Sequence, residues 1–173
     1  MVTIIAGTNR PNSNTLKLAK YYQDKLKDKG MDAQLLSLTD LPADLMSTDL
    51  YGKRSDAFKP ILDQVNESDK FLFMIPEYNG SFPGVLKLFI DACDFPHSFY
   101  DKKAALVGLS SGKYGNIRGV EHFNGVCGYL HMHVMPLRIH IANIRQELDT
   151  EAKLHLPDTI KFTDEQIEKF IRF

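Results

Sequence analysis

Short apolar runs that alternate with stretches of helical spacing constrain this chain more than any other feature. Five runs read as strands: Val2 to Ala6, Asp32 to Leu38, Phe71 to Ile75, Ala104 to Leu109, and Val134 to Ile141. The third and fourth are short, continuous and apolar, as strands covered on both faces are. Between the runs the apolar residues fall at helical intervals. Leu16, Ala19, Tyr22 and Leu26 mark one face, with Lys17, Lys20, Lys25 and Lys27 mostly opposite. Phe58, Ile61, Leu62 and Val65 mark a second face, in a helix expected from about Asp56 to Glu67. Val85, Leu86, Phe89, Ile90 and Cys93 mark a third. A fourth helix is expected from Ile117 to His131, and a last one from about Thr163, with Ile167, Phe170 and Ile171 as its stripe. Strand–helix alternation gives a parallel sheet with helices on both faces.

Local punctuation places the ends. Gly30 ends the first helix. Pro76 has no N–H for a sheet ladder and ends the third strand. Ser81 is the expected side-chain cap of the next helix, with Pro83 in its first turn. Thr163 and Gln166 are spaced as a capping box. The segment from Thr39 to Ser55, with Pro42 and Gly52, reads as a long irregular loop of the kind that is functional or mobile. With 173 residues, 43% hydrophobic and 25% charged, the chain suits a single domain over 1–173. The expected fold is α/β: a flavodoxin-like three-layer sandwich around a five-stranded parallel sheet of order 2-1-3-4-5. Such sheets bind ligands at the switch between the first and third strands.

Several classes are excluded. A formal net charge of −1, with 21 basic and 22 acidic residues and no like-charge block, lacks the basic face of a nucleic-acid binder. No run approaches the ~20 apolar residues of a membrane span. The first residues read as a strand and not as a signal peptide. Cys93 and Cys127 form no Cys-x-x-Cys pair and lie in apolar helical patterns; free buried thiols suit a cytoplasmic location. His131 and His133, with His122 and His140 nearby, straddle a helix end and a strand start. They read as surface or capping histidines and not as a metal site.

Loops after strands one, three and four of a parallel sheet leave from the same edge. Here they are Gly7 to Thr15, Pro76 to Ser81 and Ser110 to Gly115. The first precedes a helix N-terminus, which favours an anion. Thr8, Ser13, Asn14 and Thr15 offer hydrogen bonds and Arg10 a charge-assisted one. The loop lacks both Gly-x-Gly-x-x-Gly and Gly-Lys-Ser/Thr, so a terminal monophosphate suits it better than a bridging diphosphate. In the middle loop, backbone N–H groups between Glu77 and Ser81 are placed to meet a flat polar heterocycle. Tyr78 would pack on it and Asn79 would read an amide-like edge. The simpler alternative has Ser13 or Asn14 merely capping a helix, Arg10 in solvent and Tyr78 half-buried.

These loops, Gly7-Thr8-x-Arg10-x-x-Ser13, Pro76-Glu77-Tyr78-Asn79-Gly80-Ser81-x-Pro83-Gly84-x-Leu86-Lys87-x-x-x-Asp91 and Ser110-Ser111-Gly112-x-x-Gly115, resemble the NADPH-dependent FMN reductase family. The family is flavodoxin-like and includes quinone, azo-dye and chromate reductases. The resemblance runs from the first strand to about Ile141. It implies that Thr8, Arg10, Ser13, Asn14 and Thr15 hold the FMN phosphate. It places Pro76, Glu77, Tyr78, Asn79, Gly80 and Ser81 around the isoalloxazine, and Ser110, Ser111, Gly112 and Gly115 on its other side. Thr8 stands where family members often have Ser. Asn116 stands where a second adjacent glycine is usual. The resemblance further implies hydride transfer from NADPH or NADH through FMN to a small-molecule electron acceptor, with ping-pong kinetics and no side-chain catalyst. It also implies a homodimer or a dimer of dimers, with Thr39 to Ser55, Phe99 and Tyr100 as contributors to the interface.

Two other classes compete. One is a flavin-binding electron-transfer or redox-sensing protein with little turnover; the near-neutral charge favours the enzyme. The other is a serine hydrolase, because Gly108-Leu109-Ser110-Ser111-Gly112 fits Gly-x-Ser-x-Gly, with Glu121 and His131 or His140 as nominees for the rest of a triad. Arg118, Arg138 and Arg145 are candidates for a nicotinamide-cofactor phosphate or for surface ion pairs.

Overall fold

The apolar runs pair side by side, all parallel. The computed structural model describes residues 1–51 and 53–173; the breaker Gly52 lies outside the described residues. Strand β1 (Val2–Ala6) pairs with β2 (Gln34–Ser37) on one side and with β3 (Lys70–Pro76) on the other. Strand β3 pairs with β4 (Lys103–Leu109) along its whole length, from Lys70 opposite Lys103 to Pro76 opposite Leu109. Strands β5 (His133–Val134) and β6 (Ile139–Ile141) both pair with β4. The order β2-β1-β3-β4-β5 is the flavodoxin-like order expected.

Side-chain alternation along the strands sorts the core into two layers. Phe71, Phe73 and Ile75 face one side of the sheet, with Phe58, Phe89 and Phe123 packed on them. Leu72 and Met74 face the other side, with Leu18, Tyr22, Ile167 and Phe170. The first layer is covered by α3 (Lys59–Glu67), α4 (Gly84–Ala92) and α5 (Ile117–Tyr129). The second is covered by α1 (Asn14–Asp28) and α7 (Pro157–Arg172). Short helices α2 (Leu45–Thr48) and α6 (Ile144–Glu147) complete the order, numbered along the chain. The Phe73 and Phe123 rings meet edge-on with centroids 4.8 Å apart. Each such fully buried side chain contributes roughly 1.5–3 kcal/mol.

Several boundaries differ from expectation. The single fifth strand is two pieces: Met135 N–H still donates to the Ala104 carbonyl, Pro136 to Arg138 leave the ladder, and pairing resumes at Ile139 opposite Val107. Pro76 is the last residue of β3 and not the residue after it. Strand β1 ends opposite Met74, so the missing N–H of Pro76 lies beyond β1 and leaves no ladder bond unmade. Helix α3 starts at Lys59, where the Ser55 hydroxyl accepts the Phe58 N–H. The segment Thr39 to Ser55 is not wholly irregular: a 3-10 turn over Leu38–Asp40 and helix α2 lie in or against it. The capping box at Thr163 does not form. Helix α7 begins at Pro157, and Thr163 is a buried mid-helix residue whose hydroxyl donates to the Thr159 and Ile160 carbonyls. Gln166 instead ties the helix to the sheet, its amide donating to the carbonyls of Leu106 and Leu137. Phe99, expected at an interface, is buried against Phe71.

Candidate functional site

The C-terminal ends of β1, β3 and β4 bring the three loops to one edge, as the parallel pairing requires. At the end of β1 the Gly7 N–H donates to the Met74 carbonyl at 2.9 Å. A Cβ at Gly7 would lie 2.7 Å from that same oxygen, so a larger residue would push the first loop off the sheet. Thr8 follows, buried, its Oγ1 accepting the Arg10 N–H at 3.2 Å and lying 2.7 Å from the Tyr78 hydroxyl. Ser13 caps α1, its Oγ accepting the Leu16 N–H at 3.1 Å. That capping leaves the Ser13 hydroxyl proton free. The Asn14 and Thr15 N–H groups sit in the first helical turn, where no intrahelical acceptor exists. Helix α1 therefore has an anion-ready end even though Ser13 caps it.

The middle loop is a two-residue turn. Tyr78 and Ser81 exchange backbone bonds, Tyr78 N–H to Ser81 carbonyl at 2.9 Å and Ser81 N–H to Tyr78 carbonyl at 3.1 Å. Asn79 and Gly80 between them have φ of 51° and 77°, the mirror-image geometry that Asn-Gly adopts most readily. Glu77 N–H is also used, donating to the Leu109 carbonyl at 2.9 Å. The expectation that backbone donors from Glu77 to Ser81 face a ligand is thus narrowed. Among the described residues, only the Asn79 and Gly80 N–H groups of this stretch have no partner. Ser81 does not cap α4 either. Pro83 occupies the N-cap position without a side-chain bond, and the Ser81 hydroxyl pairs with His122 Nδ1 at 2.9 Å.

The third loop is held from within. Ser110 Oγ donates to the Gly112 carbonyl at 2.8 Å and accepts the Gly115 N–H at 2.9 Å. The nominated Glu121 is ion-paired with Arg138, and His131 stacks on Tyr100. Ser110 is a turn residue with both hydrogen-bond directions spent, which removes the hydrolase reading. Asn116, where the family pattern has glycine, adopts the left-handed conformation with φ 62° that Asn tolerates. Its buried amide donates to the Ile75 carbonyl at 2.9 Å and accepts the Gly119 N–H at 3.1 Å. It therefore clamps the end of β3 to the start of α5. Sequence reading treated Asn116 as a departure; its αL-compatible residue type after Gly115 was the available signal.

These elements wall a cleft of about 250 Å³. It is lined by Thr8, Arg10, Ser13, Asn14 and Thr15 from the first loop, Pro76, Glu77 and Tyr78 from the second, and Ser110 and Ser111 from the third. Asn12, Leu109, Ile144 and Arg145 complete it. Ile144 shares a core layer with Leu18 and Tyr22, so α1 and α6 flank the cleft from the same face of the sheet. Asn79, Gly80, Ser81, Gly112 and Gly115 are not brought into this lining. Gly115 packs against β6, where a Cβ would lie 2.6 Å from the His140 carbonyl carbon. Arg145 was one of three arginine candidates, and its place in this lining follows the return of β6 to β4. Arg138 is paired with Glu121, whereas Arg10 and Arg145 make no ion pair among the described residues. A smaller recess of about 160 Å³, lined by Glu77, Tyr114, Ile117 and Arg118, adjoins the cleft through Glu77. The two cysteines are free and buried away from the site, and burial pushes the Cys127 thiol up to about 12.

Fold and cleft together define a flavodoxin-like protein with a donor-lined cleft at one sheet edge. The chain belongs to the NADPH-dependent FMN reductase family, whose sequence model matches residues 1–146. It is an oxidoreductase with FMN as cofactor and NAD(P)H as co-substrate. A 2-hydroxy-1,4-benzoquinone reductase of a Burkholderia species is 26% identical over 98% of this chain and 93% of its own length. An NAD(P)H-dependent FMN reductase of Pseudomonas aeruginosa is 31% identical over 72% of this chain and 69% of its own. In fold, the chain is similar to FerB, a flavoenzyme NAD(P)H:(acceptor) oxidoreductase from Paracoccus denitrificans. The TM-score is 0.79, at 24% identity over 99% of this chain and 94% of that one.

Proposed function

We propose that the cleft between α1 and α6 binds FMN with its phosphate at the N-terminus of α1 and its ring toward the Asn79-Gly80 turn and the third loop. The observation that carries this reading is the convergence of free donors on one cleft. Asn14 and Thr15 offer unused N–H groups, Ser13 a free hydroxyl proton, and Arg10 and Arg145 two guanidinium groups. Such donors suit a dianionic monophosphate. Thr8 belongs to the same group. At the other end, the Asn79 and Gly80 N–H groups offer two dipoles to a ring carbonyl, with Pro76, Glu77, Tyr78, Ser81, Ser110, Ser111, Gly112 and Gly115 framing or supporting the ring. Bound there, FMN supplies hydride transfer from NADPH or NADH to a second acceptor.

The protein's own part is binding and orientation. Backbone donors at a ring edge favour negative charge developing there. The apolar Tyr114 and Ile117 walls beside Arg118 leave room for a second flat molecule next to the cleft. We infer that acceptor and nicotinamide use this opening in turn, in ping-pong fashion. The acceptor class is a quinone, an azo compound, free flavin or a metal oxyanion. The relative's 2-hydroxy-1,4-benzoquinone supports a quinone first. The reading extends to one FMN-binding unit over 1–173, working in the cytoplasm as a homodimer or a dimer of dimers. Buried free thiols are in keeping with that compartment. No helix among the described residues is long and apolar enough to cross a membrane.

The test is NADPH oxidation by FMN-loaded protein with 1,4-benzoquinone. The expected result is a rate dependent on protein and on quinone, with parallel double-reciprocal lines. Loss of NADPH no faster than without the protein would refute the enzymatic reading.

A further inference from the structure

We propose that the Tyr78 hydroxyl is a positioning group for cofactor phosphate, acting by turning the Thr8 hydroxyl proton toward the anion. The proposal rests on the FMN reading of the cleft and adds a role to a residue otherwise assigned to the ring.

The argument is an accounting of lone pairs and protons. A threonine hydroxyl has one proton and two acceptor sites. Thr8 Oγ1 is buried, and one acceptor site is taken by the Arg10 N–H at 3.2 Å. The Tyr78 hydroxyl stands 2.7 Å away, and either oxygen can be the donor. If Thr8 donates to Tyr78, its proton is spent and it meets the cleft with a lone pair, which repels an anion. If Tyr78 donates to Thr8, both acceptor sites are filled and the remaining Thr8 proton is free for the cleft. Thr8, Arg10, Ser13 and Tyr78 all line that cleft. In that first arrangement the free proton is that of Tyr78, so an anion seated against Thr8 at the α1 end selects the arrangement in which Tyr78 donates.

The backbone holds Tyr78 in place for this. Its paired bonds with Ser81 and the Asn79-Gly80 turn fix its Cα, and its hydroxyl crosses 70 residues of sequence to reach the first loop. The contact couples the turn that faces the ring to the loop that faces the phosphate. Its energetic consequence falls on the phosphate alone, so it favours FMN over riboflavin.

The experiment is a set of fluorescence titrations of parent, Tyr78→Phe, Thr8→Val and the double variant, each with FMN and with riboflavin. Phenylalanine keeps the ring and removes only the hydroxyl. Tyr78→Phe is expected to weaken FMN about fivefold, the worth of one neutral hydrogen bond, and to change riboflavin by less than about twofold. In the Thr8→Val background the same change is expected to have no further effect on FMN, because its partner oxygen is gone. Unchanged riboflavin binding also reports that each variant is folded. The proposal is overturned if Tyr78→Phe leaves FMN binding intact, weakens both ligands alike, or adds its full effect to Thr8→Val. A parent that binds no FMN overturns the cofactor reading itself, and the proposal with it.

Discussion

Replacing Gly119 by alanine will do the reverse of what the same change does six residues later. In a helix interior Ala is favoured over Gly by about 1 kcal/mol. Gly125 lies in α5 with nothing within 4 Å of its would-be Cβ, so Gly125→Ala takes that gain in full. At Gly119, in the same helix, a Cβ would lie 2.2 Å from Asn116 Oδ1 and 2.6 Å from the carbonyl carbon of Ser81. The Asn116 amide must give way. It then loses the cap on Gly119 N–H, worth about 1 kcal/mol, and its bond to the Ile75 carbonyl, whose buried oxygen costs about 1–3 kcal/mol when left alone. Set against the helix gain of about 1 kcal/mol, the net is a loss of about 1–3 kcal/mol. Thermal unfolding followed by circular dichroism reads this directly. At about 2–4 °C per kcal/mol, Gly125→Ala is expected to raise Tm by about 2–4 °C and Gly119→Ala to lower it by about 2–12 °C. Because a Cβ at position 119 would press on Ser81, FMN affinity should fall with Gly119→Ala and not with Gly125→Ala. Shifts of the same sign in both would refute the clamp that Asn116 is argued to form.

Other consequences are as direct. Arg145→Gln is expected to weaken FMN about tenfold at low salt and less at 0.5 M, with riboflavin unaffected, as a charge-assisted contact to phosphate requires; titration at two ionic strengths checks it, and an equal loss for riboflavin would place Arg145 elsewhere. Gln166→Leu leaves two carbonyls and the Tyr22 hydroxyl without partners, costing about 2–3 kcal/mol in urea unfolding, whereas Glu165→Ala, on an exposed pair with Lys169, changes stability by less than about 0.5 kcal/mol. Burial raises the Cys127 thiol to about 12, so the unfolded chain, with a thiol near 8.5, releases its proton first as pH rises. The stability that Cys127 contributes should therefore be lost above about pH 8.5, and both thiols should react with a disulfide reagent only in denaturant; rapid labelling of folded protein at pH 8 would contradict this.

Much of the fold was legible because its signals are local. Apolar runs, helical spacing and the Gly30 stop after α1 each depend on a few neighbouring residues and stand close to where expected, while the Ser13 cap is the simpler alternative weighed for that residue. Sheet order followed from strand–helix alternation and the flavodoxin-like order it fits. Thr163 failed because Thr at position one and Gln at position four is also an ordinary helix-interior pattern. Only the packing of α7 against β4 decides that Gln166 faces inward to the Leu106 carbonyl. Phe99 failed similarly: an aromatic in a connecting segment serves an interface or a core equally well until Phe71 is known to lie beneath it.

The site divides along the same line. The sequence by itself determined the three loops, their shared edge, and the hydroxyls and Arg10 at the end of α1. These follow from residue type and from parallel pairing. The tertiary structure decided which donors are free. Glu77, Tyr78 and Ser81 spend their N–H groups within the turn and on Leu109, leaving Asn79 and Gly80. It decided that Ser110 is a brace and not a nucleophile, that Asn116 clamps β3 to α5, and that Arg145 lines the same cleft as Arg10. Hydrogen-bond satisfaction is a property of partners far apart in sequence. A donor's availability is therefore settled by the fold and not by the residue that carries it.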